Sequence, residues 1–239
     1  MTQRLLQVVP FLLITPSLPS LAGSGGISLG QTRVIFSSAD KAQTLTVSNS
    51  EQRAYLVQTR VQNSQGGTSD TPFIVTPPLF SLQGNSRQLL RILPQDATLP
   101  TDRESLFYLS VAAIPAQAEP ATATDRLSVG VRFVIKLIYR PQSLALSAHA
   151  APCLLAFNHQ THGVRISNPT AYFQTLGVLR INGHTVELDQ QPAMVPPQSS
   201  ITLPVAGPVN MVAWQTITDH GGLSPSCQQT GSDAVGTTP

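Results

Sequence analysis

Lys136 is one of only two lysines in a chain of 239 residues, and it stands near the end of an alternating apolar run, Leu127-Ser128-Val129-Gly130-Val131-Arg132-Phe133-Val134-Ile135-Lys136-Leu137-Ile138-Tyr139-Arg140. Leu127, Val129, Val131, Phe133 and Ile135 share one face of an extended strand, and such a face is either core or an interface. An ammonium beside that surface loses water contacts and needs a negative charge in reply. Strict alternation puts Lys136 on the face opposite Val131 and Ile135. Binding is therefore the chemistry expected, and no enzyme is. The five histidines, His149, His159, His162, His184 and His220, fall in segments read as loops or turns, and the chain has no Gly-x-Ser-x-Gly elbow and no phosphate loop. His159-x-x-His162 lacks a further Cys or acidic ligand at useful spacing, so neither metal nor cofactor is expected.

These groups must be carried by β-strands. Short runs of Val, Ile, Thr, Leu and Phe recur every ten or so residues between Pro, Gly, Asn and Ser, and no segment holds a helical period for three turns. Strands are expected near residues 28–36, 43–48, 54–62, 73–80, 88–93, 106–113 and 126–139, which suggests an immunoglobulin-like sandwich over residues 23–141. Residues 142–152, rich in Ser, Ala and Pro, read as a linker. A second β module follows over residues 153–227, with a hairpin signal at Asn182-Gly183. Residues 228–239 are Gly, Ser, Thr and Pro with little to bury, and are expected to be disordered.

The ends and the composition narrow the setting. Arg4, an apolar stretch from Leu5 to Leu13 and Ser20-Leu21-Ala22 read as a secretory signal peptide over residues 1–22. The apolar stretch is too short to span a bilayer, so no membrane insertion is expected. Without Arg4 the chain carries 13 basic and 12 acidic residues, one fewer basic than the 14 of the full sequence, which gives no nucleic-acid footprint. In an exported protein Cys153 and Cys227 most simply form one disulfide, closing about 75 residues and restricting the unfolded chain by about 4 kcal/mol. Two unpaired thiols are the alternative. A redox pair would want the close Cys-x-x-Cys spacing, which is absent.

Several motifs then fall in a telling order: Thr32-Arg33, Arg103-Glu104-Ser105-Leu106-Phe107-Tyr108, Ile135-Lys136-Leu137-Ile138-Tyr139-Arg140-Pro141, Asn168-Pro169-Thr170 with Tyr172, Met194-Val195-Pro196-Pro197, and Asp219-His220-Gly221-Gly222. Together they resemble the PapD-like periplasmic chaperones of the chaperone/usher pilus pathway. The resemblance implies an all-β chain of two immunoglobulin-like β-sandwich domains in an L or boomerang arrangement. It also implies a periplasmic location, with pilus subunits and an outer-membrane usher as partners.

The same resemblance assigns roles. Arg33 and Lys136 would bind the subunit's C-terminal carboxylate in the cleft between the domains, where a forked guanidinium and an ammonium suit two acceptor oxygens. Leu127, Val129 and Val131 would be donor-strand side chains that fill the subunit's groove, while Phe133 and Ile135 read as ordinary core. Glu104, Arg140 and Asp219 would form an interdomain charge cluster. The short connection between residues 115 and 126 resembles the subgroup that assembles rod-like pili. The cysteine spacing is wider than in relatives whose cysteines lie close together near the C-terminus. A different class, an exported adhesion or carbohydrate-binding module on the same sandwich, is the alternative; it would have no use for a carboxylate clamp.

Overall fold

The computed structural model describes residues 26–67, 70–95, 98–116, 129–161, 163–189, 191–205 and 207–231. Nine strands build the first sandwich: β1 (Ile27–Leu29), β2 (Arg33–Ser37), β3 (Gln43–Asn49), β4 (Tyr55–Gln62), β5 (Phe73–Thr76), β6 (Leu79–Leu82), β7 (Arg87–Pro94), β8 (Ser105–Pro115) and β9 (Val131–Arg140). They form two sheets, β1-β3-β7-β5 and β2-β9-β8-β4-β6. Period-two alternation does the sorting: in β4, Tyr55, Val57 and Val61 are buried while Leu56, Gln58 and Arg60 face out. Phe36, Phe73 and Phe107 meet between the sheets with ring centroids 5.0 and 5.3 Å apart.

The segment 28–36, expected as one strand, is two strands in different sheets. Ile27 and Leu29 pack on the core from β1, and after Gly30-Gln31-Thr32 the inward positions switch parity to Val34 and Phe36. That shift lets β2 cross over and pair parallel with β9, placing Arg33 opposite Lys136. The segment 73–80 splits likewise at Pro77-Pro78, where two residues without an N–H interrupt the ladder; β5 joins β7 and β6 joins β4.

The strand expected from residue 126 starts at Val131; Val129 and Gly130 precede it outside the ladder, and Leu127 lies outside the described residues. All of β9 except its last residue pairs with β8, whereas β2 reaches only Lys136 to Arg140. Among the described residues, 131–135 therefore keep one main-chain edge without a strand partner.

The second sandwich follows a 3-10 turn at Pro152–Leu154. Its strands are β10 (Ala156–Gln160), β11 (Gly163–Asn168), β12 (Gln174–Ile181), β13 (His184–Thr185), β14 (Met194–Val195), β15 (Ser199–Leu203), β16 (Met211–Thr216) and β17 (Cys227–Thr230). One sheet runs β10-β11-β15, the other β13-β12-β16-β17 with β14 on β12. Trp214 fills the core against Phe157, and its indole N–H donates to the Pro152 carbonyl at 2.9 Å. Cys153 and Cys227 are disulfide-bonded, with Cα atoms 5.2 Å apart, tying the entrance of this sandwich to its last strand. Asn182 and Gly183 have φ of 50° and 84°, the positive pair that a type I′ hairpin needs. The last strand runs to Thr230, three residues into the segment expected to be disordered. Gln229 explains the extension: its side-chain amide accepts from the Phe157 N–H at 2.9 Å and donates to the Phe157 carbonyl at 2.8 Å.

Candidate functional site

β9 sets out the site by pleat. Phe133, Ile135, Leu137 and Tyr139 pack on the first core, so Arg132, Lys136 and Arg140 stand on the opposite face, four residues apart. Each finds a different partner. Arg132 donates to Ser110 Oγ and Gln62 Oε1, both at 2.8 Å, within its own sheet. Lys136 and Arg140 reach across to the second sandwich.

Lys136 Nζ donates to Thr175 Oγ1 of β12 at 2.9 Å, and Arg33 Nη1 donates to the Ile217 carbonyl at 3.3 Å. Both partners are neutral. Arg33 Nε is buried and finds no acceptor among the described residues. Burial lowers the pKa of Arg33, with Asp219 working against the shift. Burial, reinforced by the positive charge of Arg33, brings Lys136 down to about 8. Two cations side by side, hydrogen-bonded to dipoles and in no ion pair among the described residues, form a site that a carboxylate would complete, each charge-assisted hydrogen bond contributing roughly 1.5–3 kcal/mol.

The depressed Lys136 pKa has two opposite consequences. Between about 8 and its ordinary 10.5 the unfolded chain holds the proton that the folded chain has released, so this group makes the free protein more stable as pH rises through that window. Anion binding should weaken over the same rise, because the ammonium is being lost. Thermal unfolding followed from pH 7.5 upward should show the gain in the native protein and a flatter profile in Lys136→Met. Identical profiles would place the Lys136 pKa elsewhere.

Arg140 joins the two sandwiches. Its Nε donates to Glu104 Oε1 at 2.7 Å, and its two terminal nitrogens grip Asp219 at 2.7 and 2.8 Å. Glu104 also accepts the Phe173 N–H at 2.7 Å, and its side chain is only 1% exposed. Burial raises the Glu104 pKa despite Arg140, whereas the Arg140 hydrogen bonds lower that of Asp219, which is more exposed. The geometry thus brings together Glu104, Arg140 and Asp219, and sets Arg33 opposite Lys136, with Asp219 within electrostatic reach of Arg33.

The remaining motifs hold this contact in place. Buried Asn168 donates to the carbonyls of Tyr172, Val195 and Pro196 and accepts from the N–H and the hydroxyl of Thr170. The loop so fixed presents the Ala171 carbonyl to the Glu104 N–H and the Phe173 N–H to the Glu104 carboxylate. Gly221, at φ 84°, lies against Thr32, and a Cβ there would come within 2.6 Å of the threonine hydroxyl. Thr175 and Ile217 are the residues that sequence reasoning missed. Ile217 acts through its carbonyl, which any residue type could supply, and Thr175 follows the Asn168-Pro169-Thr170 motif without a signal of its own.

The apolar row divides as its burial dictates. Val129 and Val131 are 65% and 45% exposed, while Phe133 and Ile135 pack partly on the core. His159 lies at an exposed strand end, and His162 lies outside the described residues.

Comparison with known proteins places the chain. Residues 26–145 match the family described as "Pili and flagellar-assembly chaperone, PapD N-terminal domain", and residues 150–228 match "Pili assembly chaperone PapD, C-terminal domain". The chaperone protein FimC of Escherichia coli K12 is 40% identical over 206 residues, covering 84% of this chain and 82% of that protein. FocC of Escherichia coli is 38% identical over 205 residues, covering 83% and 87%. Among solved structures, the complex of the Salmonella enterica SafA pilin with the SafB chaperone matches with a TM-score of 0.77 at 31% identity, covering 86% of this chain and 96% of that one. The periplasmic chaperone SfaE matches with a TM-score of 0.71 at 34% identity, covering 85% and 98%. With both domains matched in order and the two sandwiches present, the chain belongs to the PapD-like family of pilus-assembly chaperones.

Proposed function

We propose that this chain is a periplasmic chaperone that binds a pilus subunit by its C-terminal carboxylate, completes the subunit's fold with β9, and delivers it to an outer-membrane usher. Residues 1–22 direct export, residues 23–141 and 153–227 are the two domains, and residues 142–152 join them. The observation that carries the reading is the paired cation site at Arg33 and Lys136, in register across β2 and β9 and next to a strand edge left open over residues 131–135. A chain end held there can continue along that edge, gaining main-chain hydrogen bonds as it goes.

Val129 and Val131, with Leu127 before them, are the side chains that enter the subunit's groove. Burying three such residues contributes on the order of 4–9 kcal/mol. Arg140, with Glu104 and Asp219, sets the angle between the domains. The adhesion alternative has no role for the paired cations and is not retained.

Co-expression with a pilus subunit and co-purification from periplasm tests the whole reading. Val131→Glu should abolish recovery of the complex, because a carboxylate would be forced into an apolar groove. The free protein should stay folded, since Val131 is exposed in it. A Val131→Glu protein that unfolds would make this position core, and one that still captures subunits at normal yield would move strand donation elsewhere.

A further inference from the structure

We propose that Arg132 is a peg that holds the front of β9 in strand form before any partner arrives, and that it sets how fast, rather than how tightly, a partner's chain adds to the open edge; the inference rests on the strand-addition reading above. Among the described residues, 131–135 pair with β8 alone, and the chain before them is Val129-Gly130, outside the ladder. A strand end with one neighbour and a glycine ahead of it is prone to fray. Packing does little to prevent it, since Val131 and Val134 are exposed and Phe133 and Ile135 are only partly buried.

Arg132 supplies what packing does not. Its Nε donates to Ser110 Oγ of β8 and its Nη2 to Gln62 Oε1 of β4, so one side chain ties three neighbouring strands together. Both acceptors are fixed points. Ser110 and Gln62 are buried, and the Gln62 amide nitrogen donates to the Gly67 carbonyl at 2.7 Å. A carbonyl can only accept and a guanidinium can only donate, so the two ends of the Gln62 amide are assigned by their partners and its oxygen is left for Arg132. In the ladder Arg132 lies opposite Ala112; Ser110 is the next outward-facing residue toward Lys136, and Gln62, opposite Tyr108, is level with Lys136 itself. The arginine therefore runs diagonally back over the sheet, away from the edge where a partner adds. It acts on the strand and not on the ligand. A partner on the open edge pairs the strand from its other side and makes the peg redundant, so the free state alone depends on it.

Hydrogen exchange in the free protein, and the binding kinetics of a synthetic peptide of alternating Val and Thr ending in a free carboxylate, test this together. In Arg132→Met the amides of residues 131–135 should exchange about tenfold faster than in the native protein, while those of β3 and β7 keep their rates. The association rate of the peptide should fall by a similar factor, the share of binding-competent strand lost to fraying, and its dissociation rate should stay within about twofold. Arg132→Lys, which keeps the charge but not the fork, should recover only part of both losses. Ser110→Ala should have a smaller effect and add nothing to Arg132→Met, which has already lost that hydrogen bond. Unchanged exchange, or faster exchange with an unchanged association rate, overturns the peg. A loss that appears in dissociation instead makes Arg132 a contact and overturns it equally. Failure of the native protein to bind the peptide overturns strand addition, on which the exchange measurement does not depend.

Discussion

Arg33→Ala combined with Lys136→Ala should yield a folded protein from which no subunit complex can be recovered. On the proposed clamp each group supplies a charge-assisted hydrogen bond of roughly 1.5–3 kcal/mol, so removing both should weaken carboxylate binding by about two orders of magnitude or more. Folding has little at stake. Each cation holds one neutral partner across the domain contact, and Lys136 is disfavoured by its own burial, as its lowered pKa shows. The thermal midpoint of the free double variant should stay near that of the native protein. Normal complex yield from that variant would sink the clamp.

Arg140→Ala should have the largest effect on stability of any single surface-accessible charge in the chain. It leaves Glu104 buried with the Phe173 N–H as its remaining side-chain partner, and breaking a buried pair from one side costs about 3–5 kcal/mol. Adding Glu104→Gln should recover part of that loss, because a buried neutral amide is cheaper to leave unpaired than a carboxylate. Asp219→Asn should do much less to stability, about 1 kcal/mol or below, since Asp219 is 39% exposed. Its effect belongs to the hinge: small-angle scattering should show a broader spread of domain separations with each core intact. Chemical denaturation reads the first two substitutions, and an Arg140→Ala protein as stable as the native one, unaffected by Glu104→Gln, would mean that the cluster orients nothing.

Much of the architecture was readable because a half-buried strand declares itself by alternation. β3, β4, β7 and β8 fall within a few residues of their expected positions for that reason. The two misread segments also carried their signal. From Leu29 to Val34, and again from Val75 to Phe80, the inward positions change from odd to even, and a strand that stays in one sheet cannot do that. The site was half legible. Lys136 stands out because a lysine beside an apolar strand is rare, whereas Arg33, Glu104, Arg140 and Asp219 were picked out only by the motifs that resemble the family. Thr175, the Ile217 carbonyl and the Phe173 N–H were hidden, because a backbone group has no letter in the sequence and a cross-domain contact has no spacing.

On the proposed anchoring, β9 would also work as a ruler with a parity check. Its three cations repeat every four residues, about 13 Å at the rise of an extended strand, and the open edge begins beside Lys136. A partner fixed by its chain end has its length counted from that mark. One residue added at the end would turn every groove-facing side chain of the partner outward and defeat the match, whereas two would slide the same faces by about 7 Å and leave them correctly turned. If partners are anchored by their chain ends as proposed, the pleat makes β9 discriminate among those ends by whole steps of two, a digital criterion on top of any preference for particular side chains.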